Sequence, residues 1–212
     1  MDGNVWRNVL QLIDYQSLQR IKLCNKKNRL YREINEMRRL TQAVRKDLIP
    51  LENDEIVNIS TFRYLGKRAY GSKPTFFTTV FNETIGAKFE KAIGKTGDKI
   101  TVIYTHEYEM AFVFTGGSLE LFVNESPVGK MNAKGIFYNL QLKPAGKWVN
   151  ETGKKLRILQ MGSHAYATIQ FGERNALTDR MFSDFVFENE EEKILLLAYA
   201  LYERLNYGTP KK

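Results

Sequence analysis

The sequence predicts an α+β chain: a closed antiparallel β-barrel wrapped around a buried C-terminal helix, preceded by a small helical segment. Three observations lead there. Residues 194–201, Ile-Leu-Leu-Leu-Ala-Tyr-Ala-Leu, are apolar without a break, so a helix through them is apolar on every side and has to be enclosed. Between Ile56 and Phe187, roughly ten to twelve short aromatic or β-branched runs alternate with turn residues, the spacing of an all-β barrel. A closed barrel has an apolar interior and no exposed edges, so threading the helix through it satisfies both elements.

Composition is compatible with this. With 43% hydrophobic and 12% aromatic residues, the 212-residue chain can fill a sizeable core. A single cysteine, Cys24, excludes an internal disulfide, and the start MDGNVWRNVL lacks the basic and apolar regions of a signal peptide. The expectation is therefore a reducing compartment, cytoplasmic or nuclear, with peripheral membrane contact allowed. No transmembrane segment is expected, because the apolar helix falls short of the roughly 20 residues a bilayer requires.

Residues 1–50 are read as a basic helical segment and 51–212 as the barrel domain. The first carries 11 Lys and Arg against 5 Asp and Glu, and the remainder 21 against 19, so most of the net charge of +8 lies in the first quarter. That asymmetry calls for an acidic partner: nucleic acid, an anionic membrane or an acidic protein surface. Val5, Val9, Leu12 and Ile13 share one helical face, and Leu18, Ile21 and Leu23 fall on a second short helix. Leu30, Ile34, Met37, Leu40 and Val44 form the apolar stripe of a longer basic one that Ile49-Pro50 ends. On that helix Arg38, Arg39, Arg45 and Lys46 are the candidates for phosphate contacts if the partner is nucleic acid.

Residues 9–30, VLQLIDYQSLQRIKLCNKKNRL, resemble an F-box in the order of their hydrophobic positions and in Leu23-Cys24 followed by a basic cluster. The resemblance implies docking on the linker subunit of a cullin-type ubiquitin ligase through Leu12, Leu18, Ile21 and Leu23. No Leu-Pro opens the segment, and Asn28 stands where the family usually has tryptophan. Read from the residues alone, the segment is a helical hairpin packed on its own domain.

Farther on, Phe76–Phe81, Ile100–Tyr104, Glu107–Phe114, Leu119–Val123, Leu156–Leu159 and Ala165–Phe171 read as strands. Thr115-Gly-Gly-Ser118, Asn124-Glu-Ser-Pro127 and Asn150-Glu-Thr-Gly153 supply turns. Gly94-Lys95-Thr96 looks like the end of a phosphate loop, but Phe89 replaces the first glycine and a strand follows, so it reads as a turn. At the last helix, Asn189 is the expected cap, with Glu192 completing a capping box and Glu190 to Glu192 suiting the positive end of the dipole.

Hairpins first and a buried helix last is an order that resembles the tubby-like group, which includes the LURP-one and phospholipid scramblase-related proteins. The carrying residues are 119–131, LELFVNESPVGKM, and the Phe-rich strand leading into the helix within 179–205. The resemblance implies a non-enzymatic binding or adaptor barrel that contacts anionic phospholipid. Tubby domains use a Lys-x-Arg pair on a strand for phosphoinositides, and Lys155-Leu156-Arg157, preceded by Lys154, is similar to it. Lys155 and Arg157, two apart on a strand, project from one face and can grip one phosphate together. The bland reading is a solvated, charge-protected edge. Lys88, Lys91, Lys95 and Lys99 flank another connection and add basic groups.

No catalytic constellation, metal set or cofactor motif is read from the sequence. His106 and His164 lack metal-ligand spacing, and Glu107 and Glu109 fall on the opposite strand face from His106. Besides the adaptor and nucleic-acid readings, a structural subunit of a larger assembly would also suit a basic arm on a β domain.

Overall fold

The computed structural model describes residues 28–39, 44–64, 75–81, 83–93, 97–150, 156–170 and 180–207, with the backbone alone at 61–64, 150, 206 and 207. Two compact units divide the chain, 1–39 and 40–212. In the first, residues 28–39 are helical, with Ile34 and Met37 buried and Leu30 half-buried, the stripe expected from their three- and four-residue spacing. Leu12, Leu18, Ile21 and Leu23 lie outside the described residues.

In the second unit, twelve strands form one antiparallel sheet: β1 Ile59–Tyr64, β2 Thr75–Thr79, β3 Thr84–Ile93, β4 Asp98–Thr105, β5 Glu109–Thr115, β6 Ser118–Val123, β7 Ser126–Met131, β8 Ile136–Asn139, β9 Pro144–Asn150, β10 Leu156–Met161, β11 Ala165–Gln170 and β12 Phe182–Val186. Each pairs with its neighbour in sequence, so the sheet is a continuous meander. It curls into a nearly closed barrel: beside the gap between first and last strands, the Met181 N–H donates to the Ile59 carbonyl at 2.7 Å.

Local chemistry explains the hairpins. Gly116 and Gly117, at φ 58° and 80°, make the two-residue connection between β5 and β6 in the left-handed region that glycine enters without strain. The β6–β7 turn has the same handedness without glycine, with Asn124 at φ 46° and Glu125 at φ 72°. Asn124 is anchored there, since its N–H donates to the Glu109 carbonyl and its Oδ1 accepts from the Glu109 N–H, both at 2.9 Å. Strand β6 alternates strictly, with Leu119, Leu121 and Val123 buried and the residues between them half-buried.

The last helix, Glu190–Tyr207, fills the interior. From Lys193 to Leu205 every side chain is buried except the half-buried Ile194 and Tyr202. This is the all-round enclosure that the unbroken apolar run demands, and each large side chain so placed contributes about 1.5–3 kcal/mol. Tyr199 packs edge-on against Phe112 and Phe137, with ring centroids 5.8 and 5.2 Å away. Phe77 of β2 lies over Gly86 of β3, where a Cβ would meet the ring at 1.9 Å, so only glycine fits beneath it. At the helix start the Glu192 N–H donates to Asn189 Oδ1 at 3.0 Å, the expected cap. The returning bond differs from a capping box: Glu192 Oε2 accepts from the Glu188 N–H, one residue earlier.

Candidate functional site

Charged and polar side chains gather where the helix meets the two ends of the barrel. At its N-terminal end, Lys193 Nζ bonds Asn53 Oδ1 at 2.8 Å and pairs with Glu190 at 2.7 Å, while the Tyr108 hydroxyl donates to the same Glu190 carboxylate. Burial and then that carboxylate push the Tyr108 hydroxyl above its ordinary pKa, so it stays protonated and keeps donating. The Lys193 and Tyr108 bonds in turn hold Glu190 below the usual carboxylate range. A cavity of about 10 Å³ lined by Leu51, Ile56, Thr105, Tyr108 and Lys193 is of a size for one water. This arrangement ties the 3₁₀ turn Asn53–Asn58 to the helix.

At the other end, the buried Lys88 of β3 donates to the Leu205 carbonyl at 3.2 Å, satisfying a C-terminal carbonyl and complementing the negative end of the dipole. Its ammonium also lies 3.0 Å from Glu90, and Lys99 approaches the same carboxylate at 3.4 Å. Lys99 further sits 5.9 Å above the Tyr202 ring. Lys88 and Lys99, which flank one connection in the sequence, thus turn to the helix and to Glu90.

Arg157 of β10 forms an ion pair with Glu203 of the helix, and its guanidinium lies 5.4 Å over the Trp148 ring of β9. Trp148 is two residue pairs along the ladder, opposite Leu159. Lys154 and Lys155 lie outside the described residues. Arg157 therefore stands at a helix-facing contact that its sequence position could not disclose.

On the basic helical stretch, Arg38 Nη1 donates to Asn35 Oδ1 at 2.6 Å and Arg39 is exposed. Arg45 is committed to the β4–β5 turn, donating to the Glu107 carbonyl at 3.0 Å and to the His106 carbonyl at 3.4 Å. Lys46 is exposed. Both histidines are exposed as well, and among the described residues no three His, Cys, Asp or Glu are grouped to hold a metal ion. No helix of the described residues is long and apolar enough to cross a membrane.

One surface feature escapes the sequence patterns. A groove of about 160 Å³ opens on the barrel flank, lined by Glu120, Phe122, Pro127, Lys130, Leu140 and Leu142 among others. There β7 and β8 pair only over Gly129–Met131, so the ladder leaves Ser126–Val128 of β7 without a β8 partner. The signal available in sequence was Asn139-Leu140-Gln141-Leu142, two leucines inside a turn. Comparison with protein-family models, with curated proteins and with solved structures finds no match to the chain.

Proposed function

We propose that the protein is a non-enzymatic binding module, a tubby- or LURP-like barrel that contacts anionic phospholipid on its outer surface and holds a protein partner through its N-terminal helices. The observation that carries this reading is the filled interior: the residues from Lys193 to Leu205 occupy the space that a ligand-carrying barrel leaves open, so recognition falls to the outside. Strand order and the final helix fit the resemblance drawn from residues 119–131 and 179–205.

Lys154 and Lys155, beside Arg157, are the proposed headgroup contacts. The Arg157 charge is shared with Glu203, so the lysines carry most of the attraction. Flotation with vesicles that contain phosphoinositide tests this: binding is expected there and not to neutral vesicles, and K154E/K155E should weaken it. Equal flotation with neutral vesicles counts against the lipid reading. For the adaptor half, L18D/L23D is expected to abolish partner capture in a pull-down while leaving circular dichroism unchanged.

A further inference from the structure

The flank formed by β7, β8 and β9 combines two properties rarely adjacent on a solvated surface. Residues 126–149 contain four lysines, Lys130, Lys134, Lys143 and Lys147, and no Asp or Glu. All four are exposed. At the β8–β9 turn in the middle of this segment, Leu140 and Leu142 are 61% and 63% exposed beside the groove.

The leucines are held out, not merely left out. Asn139 Oδ1 accepts from the N–H groups of Gln141 and Lys143 at 3.1 and 3.0 Å, and the Asn139 carbonyl accepts from the Leu142 N–H at 2.9 Å. The turn places Leu142 at φ 61°, a left-handed conformation that a bulky L-residue rarely adopts. Asparagine or glycine would meet that geometry with less strain, so folding alone gives no reason for leucine at this position.

The geometry points to a membrane-docking face: Leu140 and Leu142 enter the headgroup boundary of an anionic bilayer while Lys130, Lys143 and Lys147 meet its phosphates. The inference rests on the anionic-phospholipid reading above and adds a second contact, at the end of β9 opposite the one where β10 begins. Charge selects the partner. A flank with four lysines and no carboxylate of its own attracts a negative surface, and Glu120 is the one acidic side chain in the groove lining. Shape selects the bilayer over an acidic peptide. Protruding leucines on a lysine-bearing flank match a surface that is negative outside and apolar just beneath, whereas a peptide would set its carboxylates against the leucines.

The test is flotation of the full chain with phosphatidylcholine vesicles and with vesicles that also contain phosphatidylserine. Wild type, L140S/L142N and K130E/K143E are compared, with asparagine chosen at 142 because it tolerates the left-handed region. Thermal melting verifies that the variants fold, and K130E/K143E serves independently should the leucine variant fail to. Each variant is expected to lose about tenfold or more in binding to the anionic vesicles. Wild type floating with anionic vesicles while both folded variants float equally well overturns the inference and leaves the lipid reading standing. Wild type failing to float both with the phosphatidylserine vesicles and with the phosphoinositide vesicles of the preceding test overturns both. Should the variants lose capture by an immobilised acidic, leucine-bearing peptide and keep vesicle binding, the face takes a peptide and the inference falls.

Discussion

Tyr199 places a hydroxyl in the barrel interior, 1% exposed, where no described group bonds it. Burial alone pushes that hydroxyl above its ordinary pKa, a sign of an apolar setting with nothing nearby to favour charge. An orphaned buried hydroxyl costs free energy that its removal returns, while the ring contacts with Phe112 and Phe137 survive in phenylalanine. Y199F is therefore expected to stabilise the protein by about 1 kcal/mol in urea titration, and a loss of similar size would mean the hydroxyl is bonded. The sequence shows that residue 199 is interior, because the apolar run on both sides leaves no wet face. It does not show which residues oppose it. The same limit separates the two views of Arg157. Two-residue alternation places its side chain on a strand face, but the partner on that face, Glu203, is 46 positions away and becomes visible only when the helix is threaded through the sheet.

Among elements, the β3–β4 hairpin is joined to the end of the helix by a set of charges. Burial works against the Glu90 carboxylate, yet Lys88 and Lys99 outweigh it and hold Glu90 below the usual carboxylate range. Burial also lowers the Lys88 ammonium, against the attraction of Glu90. For Glu90 the sign follows from linkage. Its native pKa lies below the unfolded value of about 4.3, so its contribution is complete above that value and disappears as pH falls through the native one. Urea midpoints taken from about pH 6 down to about pH 3 should fall more steeply for wild type than for E90Q. Parallel curves would show that Glu90 is not a source of the acid loss. Hairpin positions were legible because Gly116-Gly117 and Asn124-Glu125 carry their turn type in the side chains. The β8–β9 connection was not, because Leu142 adopts a backbone conformation its side chain disfavours, and Pro144 opens a strand that the alternation rule alone would not begin there.

For the whole molecule, helix and barrel are mutually dependent cores. Leu196, Ala198, Ala200 and Leu201 have no exposure, and neither do Phe77, Ile103, Phe112 and Leu121 on the strands around them. Removing residues 190–207 is expected to abolish cooperative unfolding and near-ultraviolet circular dichroism while leaving strand signal in the far ultraviolet. A truncated chain that still melts sharply would mean the barrel closes on its own. This architecture was the most legible part of the chain, since an all-apolar helix after a long series of hairpins has few homes. The groove on the flank was the least legible, lying beside a mismatch in length between β7 and β8 that no single residue announces.

The position of the helix after every strand in chain order has a consequence for synthesis. All twelve strands of the described residues leave the ribosome before the segment that fills the space between them exists. A growing chain therefore holds a half-made shell whose greasy lining has nothing to touch, open to mispairing and to capture by chaperones. Final consolidation waits for the last turns of helix to slide home, so conditions that delay those residues should raise aggregation even when no strand is altered.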